Sequence, residues 1–330
     1  MDSFTGKLAV VTGGGSGMGR ELVGQLAAAG CSVAACDWHA DAVADTAALA
    51  QAGAPPGGRV KVTGHACDVS DEAQVLRFRD ALLAEHGRDH VDLVFSNAGI
   101  GGAGSFVNDS REEWERTFAI DWWGVYYCAR AFLSLLIASG DGVLVNTSSV
   151  NGLWASLGPG RPNTSYAAAK FAVRGFSEAL IEDLRSNAPQ VRVAVVMPGH
   201  VGTDIVANSL RAHGKDPQQL SDAEVEEMIP PGPREGLIKA GALPEGASPD
   251  DLRQFLIRAG NDFRDKAPVS AAQAAAIILD GVRAGTWRIL VGEDAAMIDA
   301  AVRAKPEAAY DYAELFSGVT QGPAAGTPED

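Results

Sequence analysis

Strand-length apolar runs alternate with helix-length segments through most of this chain, and that alternation limits the fold more than any other feature. KLAVVT at 7–12 runs into glycines, and residues 18–29 continue as a helix up to Gly30, a residue suited to closing it. SVAACD at 32–37, RVKVTGHA at 59–66, VDLVFS at 91–96, GVLVNTS at 142–148, VRVAVVMP at 191–198 and WRILVG at 287–292 read as further strands. Helices are expected over about 40–51, 71–86, 111–138, 164–187 and 270–284. Strands joined by helices in this way pair in parallel through right-handed crossovers. The expected fold is therefore α/β: a Rossmann doubly wound parallel sheet of about seven strands, with helices on both faces.

The rhythm breaks at 205–268, where Pro217, Pro230, Pro231, Pro233, Pro244 and Pro249 punctuate short amphipathic stretches. This segment is expected to be a helical substrate lid inserted into a single catalytic domain spanning 1–316, with 317–330 as a disordered tail. Forty-two acidic against 27 basic residues give a formal charge of −15. Such a chain repels phosphate backbones and anionic lipid, so nucleic acid and membrane partners are not expected. No apolar run approaches the roughly 18–20 residues of a membrane span. MDSFTGKLAVV lacks the basic-then-apolar pattern of an export signal, which makes a cytoplasmic location the expectation. Cys31, Cys36, Cys67 and Cys128 form no CxxC pair, there is no HExxH, and no metal site is expected.

The first strand enters TGGGSGMG at 12–19, where Gly13, Gly17 and Gly19 take a G-x-x-x-G-x-G spacing around Ser16 and Met18. Glycines between a strand and a helix make a tight turn and let backbone N–H groups approach a pyrophosphate at the helix N-terminus. Asp37 ends the second strand, where a carboxylate accepts hydrogen bonds from ribose hydroxyls and repels a 2′-phosphate. No Arg or Lys follows it, so NAD is favoured over NADP. Tyr166 and Lys170 stand four apart in YAAAK, on one face of a helix. A tyrosine with an ordinary pKa of about 10 becomes a useful acid/base beside a cation that favours its phenolate.

TGGGSGMG, SNAG (96–99), SSVNG (148–152), YAAAK (166–170) and PGHVGT (198–203) occur in this order. Together they resemble the short-chain dehydrogenase/reductase family over about residues 5–204 and again at 268–295. The resemblance implies an NAD(P)-dependent oxidoreductase acting on CH–OH, with Tyr166 as acid/base and Lys170 holding the nicotinamide ribose. It implies that Ser149 binds the substrate oxygen beside Ser148. It also implies that Asn97, Ala98 and Gly99 close the fourth strand over the cofactor and that Asp68 and Val69 contact adenine. Pro198, Gly199, Val201 and Thr203 match the loop that holds the nicotinamide, Thr203 at its amide. Asp121, in FAIDWWGV, stands where family members usually carry Asn, and the segment from Ser149 to Tyr166 is longer than usual.

Leu153, Trp154, Leu157 and His200 are expected near the substrate, with lid residues Ile205, Val206, Leu210, Ile229, Leu237, Ile238, Phe255 and Leu256 supplying an apolar lining. The expected ligand is a small apolar secondary alcohol or its ketone, hydroxysteroid-like, cyclic or aryl. Reduction of a 3-ketoacyl chain is the alternative reaction, and a non-catalytic NAD-sensing protein the alternative of another class. A homodimer or homotetramer is expected from the family and from the apolar helices at 111–138 and 164–187.

Overall fold

The computed structural model describes residues 1, 3–57, 59–102, 104–158 and 161–317. The chain opens with β1 (Leu8–Thr12), α1 (Gly17–Ala28), β2 (Ser32–Asp37), α2 (Ala40–Ala52), β3 (Val62–Ala66), α3 (Glu72–His86) and β4 (Leu93–Ser96). It continues with α4 (Arg111–Phe118), a π-helical turn at Ala119–Trp123, α5 (Gly124–Ala138), β5 (Gly142–Thr147), a 3₁₀ turn at Val150–Gly152, α6 (Thr164–Asn187) and β6 (Val191–Pro198). After a two-residue β7 (Val201–Gly202) come α7 (Ile205–Ala212), α8 (Asp222–Met228), α9 (Pro231–Lys239) and α10 (Pro249–Asp265). Then follow β8 (Val269–Ser270), α11 (Ala271–Ala284), β9 (Arg288–Val291), α12 (Glu293–Ala304), a 3₁₀ turn at Pro306–Ala308 and α13 (Tyr312–Leu315).

Seven strands form one sheet in the order β3-β2-β1-β4-β5-β6-β9, every pair parallel, and β7 pairs with β8 beside it. The doubly wound sheet read from the sequence is the one observed. Alternate strand residues supply two cores because a strand's side chains alternate faces. Ala9, Val11, Val33, Phe95 and Val196 pack with Leu26, Ile278 and Val282 on one side; Leu8, Val10, Val94 and Leu144 pack with Phe78, Phe132 and Leu136 on the other.

Three differences from the sequence reading matter. The helix expected over 111–138 is interrupted by the π-helical turn, which carries Asp121 inward with no exposed surface. β3 begins at Val62 rather than Arg59 and lies at the edge of the sheet, half exposed. Beyond β9, α12 and α13 fold back on the main body, which the sequence reading did not foresee. The tail expected to be disordered lies, apart from Ser317, outside the described residues.

Residues 205–268 stay helical, as the proline-punctuated pattern suggested. Ser221 and Ser248 cap α8 and α10 with reciprocal side-chain bonds to Glu224 and Asp251. Val225, Ile229, Leu243 and Leu252 form a small core of their own, with Leu237, Ile238, Phe255 and Leu256 against it. Of the apolar residues assigned to the substrate, these four and Ile229 are therefore occupied within the helical unit. Ile205, Val206 and Leu210 of α7 face the main cleft.

Candidate active site

A cleft of about 1190 Å³ runs along the carboxyl edge of the sheet, from Asp37 and Trp38 at one end to Trp154, Ser156 and Leu157 at the other. The loop after β1 is shaped for close approach. Gly13 (φ 68°) and Gly17 (φ 50°) take left-handed conformations. A Cβ on Gly13 would lie 2.8 Å from the Ala98 Cα, and one on Gly19 would strike the Gly13 carbonyl. Gly19 thus supports the loop from beneath, while Gly13, Ser16, Gly17 and Met18 line the cleft. Ser16 precedes α1 without its side chain capping the helix, so its hydroxyl leaves the first-turn N–H groups to another acceptor.

Asp37 holds two backbone donors, Gly15 N at 3.0 Å and His39 N at 3.0 Å, which fix its carboxylate at the end of β2. Thr12 Oγ1 accepts from the N–H groups of Asn97 (3.0 Å) and Ala98 (3.1 Å) and thereby ties the end of β1 to the end of β4. The Asn97 Oδ1 is buried without a hydrogen-bond partner among the described residues. Asp68 is held below the ordinary carboxylate range: burial works against its charge, but Ser70 and Arg116 outweigh it, the guanidinium lying 3.0 Å away. Arg116 was not foreseen; it reaches Asp68 across 48 positions of sequence, and no local pattern announces it. Val69 lines the same stretch of the cleft. First-turn donors left uncapped by Ser16, an anchored Asp37 and a buried Asn97 acceptor along one cleft fit a dinucleotide.

At the middle of the cleft α6 presents Tyr166 and, one turn on, the buried Lys170, whose Nζ lies 5.3 Å from the tyrosine ring centre. Lys170 Nζ meets Asp121 Oδ1 at 2.9 Å and donates to the Thr147 carbonyl at 3.2 Å. Ile100 N donates to the same Asp121 oxygen at 3.3 Å, and Oδ2 has no hydrogen-bond partner among the described residues. A Cβ on Gly99 would sit 2.6 Å from Asp121 Oδ1, so only glycine admits this pair. Burial disfavours the Lys170 charge, but Asp121 and Tyr166 outweigh it and hold the amine protonated beyond its usual range. Burial pushes the Asp121 carboxyl up against the pull of Lys170. Burial likewise pushes the Tyr166 phenol up; Lys170 pulls it down, Asp121 adds to the rise, and a hydrogen bond with Ser149 lowers it.

Ser149 is buried, and its Oγ accepts from Asn151 N at 3.1 Å. Ser148 instead donates to the Lys170 carbonyl at 2.7 Å and locks β5 to α6. The arrangement puts a phenol, a serine hydroxyl and a lysine cation around one point, suited to moving a proton at an oxygen.

Pro198, Gly199, Val201 and Thr203 line the cleft opposite, and a Cβ on Gly17 would meet Thr203 Cγ2 at 3.0 Å. His200 also lines it, but its Nε2 lies 2.8 Å from the Phe263 carbonyl and so carries its proton to α10. Trp154 lines the far end of the cleft. Leu153, expected beside it, turns away into a cluster with Met197, Ala309 and Leu315. Ile120, Met228, Phe263 and Ile298 line the cleft without having been singled out. Asn208 Nδ2 reaches Ser16 Oγ at 3.1 Å and Ser209 Oγ accepts from Gly101 N at 2.6 Å, so α7 closes over both the phosphate loop and the β4 loop.

Residues 7–214 match the family model described as short chain dehydrogenase. The protein SadH of Mycobacterium tuberculosis is 41% identical over 222 residues, which is 67% of this chain and 76% of SadH. Levodione reductase of Leifsonia aquatica is 32% identical over 247 residues, 74% of this chain and 86% of that enzyme. The crystal structure of a short chain dehydrogenase/reductase from Burkholderia phymatum in complex with NAD covers 93% of this chain and 96% of its own, at 27% identity and a TM-score of 0.71. With the glycine loop, the Ser149–Tyr166–Lys170 cluster and the seven-stranded sheet in place, this chain belongs to the short-chain dehydrogenase/reductase family of oxidoreductases that act on CH–OH groups.

Proposed function

We propose that the protein interconverts an apolar secondary alcohol and its ketone with NAD as the cofactor, and that 205–268 is the lid over its single catalytic domain. The observation that carries this reading is the meeting of Ser149, Tyr166 and Lys170 midway along a cleft whose adenosine end is marked by Asp37. Gly13, Ser16, Gly17 and Met18 would hold the pyrophosphate, Asp37 the adenosine ribose, Asp68 and Val69 the adenine side. Asn97, Ala98, Gly99, Lys170 and the loop Pro198–Thr203 would hold the nicotinamide half. The cofactor supplies the hydride acceptor when it is bound. Ser149 holds the substrate oxygen, and Tyr166 takes its proton as the carbinol hydrogen leaves. Lys170 opposes the rise in the phenol pKa that burial causes, which keeps the phenolate within reach.

Trp154, Leu157, Ile205, Val206 and Leu210 at the far end of the cleft support an apolar substrate. Absorbance of NADH at 340 nm with a panel of secondary alcohols tests the reading. NAD-dependent turnover of cyclic or aryl members is expected, and no turnover with any of them would refute it. Association into a homodimer or homotetramer belongs to the same proposal. Trp123 and Phe171 are exposed, and the rings of Trp122, Trp123, Tyr126, Tyr127 and Phe176 form one aromatic patch. Light scattering at micromolar concentration should return a multiple of 34.2 kDa.

A further inference from the structure

The loop 153–158 has no regular structure, and its Trp154, Ser156 and Leu157 line the far end of the cleft. Asn151 ties it to itself, its Nδ2 donating to the carbonyls of Trp154 (3.0 Å) and Ser156 (2.8 Å). Besides a local bond from Arg161 N to the Gly158 carbonyl (3.2 Å), it is anchored by the segment after β9. Trp154 Nε1 donates to the Ala309 carbonyl, Ser156 Oγ is bonded to Tyr312 OH, and Ala155 N donates to Tyr310 OH at 3.4 Å. The Trp154 ring also stands edge-on to Tyr312 at 5.6 Å and to Phe316 at 5.8 Å. The same segment touches the opposite wall. Asp294, in the first turn of α12, accepts from His200 N at 2.6 Å and fills the space that side chains at Gly199 and Gly292 would take.

We propose that residues 293–317 are a brace that fixes the substrate loop, so that Tyr312, which lies outside the cleft lining, is a positioning residue governing substrate affinity. This rests on the oxidoreductase reading above. A Tyr312→Phe change removes the bond to Ser156 and keeps the ring against Trp154. The loop then samples positions that fit the alcohol less well, while the cofactor end, held by Asp37, Thr12 and Arg116, is untouched. Ser149 keeps its own bond from Asn151, so the chemistry of a bound substrate should survive.

The test compares wild type, Tyr312→Phe and Tyr312→Ala as full-length protein. Loss of one hydrogen bond should raise the alcohol KM about fivefold in Tyr312→Phe, with kcat within about threefold and the NADH Kd, read by fluorescence titration, within about twofold. Tyr312→Ala should raise KM further. Chymotrypsin, which can cut after the exposed Leu157, should cleave there about fivefold faster in Tyr312→Phe, because local opening becomes easier. Unchanged KM and unchanged cleavage in Tyr312→Phe would overturn the brace, as would an NADH Kd that rises as much as KM. If Tyr312→Ala does not fold, Tyr312→Phe decides alone. If wild type oxidises no alcohol, the function proposed above fails, and the Leu157 cleavage rates still decide the brace.

Discussion

The Asp121 carboxylate lies 2.9 Å from the Lys170 ammonium inside the protein, and the tyrosine that the lysine tunes therefore feels both charges. Asp121 acts against Lys170 by adding to the rise of the Tyr166 pKa. Asp121→Asn removes that charge and keeps an oxygen for the lysine to reach. Activity should stay within about tenfold, and the tyrosine limb of the pH profile of kcat/KM should move to lower pH by up to about one unit, which equals about 1.4 kcal/mol. A shift to higher pH would contradict this account. Asp121→Ala leaves the buried lysine uncompensated and should cost about 3–5 kcal/mol of unfolding free energy by urea denaturation.

Tyr166→Phe should lower turnover by about 10²–10⁴-fold, the usual worth of a positioned acid/base. NADH binding should persist, since the phosphate loop and Asp37 lie elsewhere in the cleft. Retention of more than about a tenth of wild-type turnover would remove Tyr166 from the role of acid/base.

Asp37 is set by the N–H groups of Gly15 and His39 before any ligand arrives. A 2′-phosphate brought against it meets a fixed negative charge. NAD should exceed NADP by about a hundredfold or more in kcat/KM. Arg20 lines the same cleft, so Asp37→Ala should narrow the gap by about tenfold or more, with most of the change in the KM for NADP. Equal use of both cofactors by the wild type would refute the assignment.

Stability should fall on mild acidification. Burial, followed by the Lys61 charge, lowers the His86 pKa from 6.5 to about 4, and its Nε2 lies 3.0 Å from Thr63 Oγ1. The unfolded chain takes up this proton near 6.5 and the native one only near 4, so stability is lost as pH drops between those values and not above them. Burial lowers His65 and His213 in the same direction. His86→Gln should reduce the difference in unfolding free energy between pH 7.5 and pH 5 by about 1–2 kcal/mol. An identical pH dependence in the two proteins would show that His86 is not responsible.

The sheet could be read in advance because strands covered on both faces carry near-continuous apolar stretches, LAVV at 8–11 in β1 and VAVVM at 193–197 in β6. Gly13, Tyr166 and Lys170 were legible because the roles proposed for them need fixed residue types at fixed spacings. The π-helical turn was not: one extra residue shifts an apolar stripe by about 100°, but in AIDWWGVYYCARAFLSLLIA apolar residues lie on every face and no stripe is there to shift. α12 did leave a signal that went unused: Gly292, then Glu293 and Asp294 in a first turn, then Ala295, Ile298 and Val302 at helical spacing. The partnership of Trp154 with Ala309 left none. It joins residues 155 positions apart, and nothing near Trp154 distinguishes a ring meant for a ligand from one meant for a distant turn.

That distance has a consequence for how the protein is made. A chain leaves the ribosome at about 5–20 residues per second, N-terminal segments first. The strands from β1 to β6 and the helices between them carry the phosphate loop, Asp37 and the Ser149–Tyr166–Lys170 cluster, so all of these are in hand by Pro198. The loop around Trp154 has to wait for Ala309 and Tyr312, so the partners that anchor the proposed substrate wall are made 155 positions or more after the tryptophan they hold.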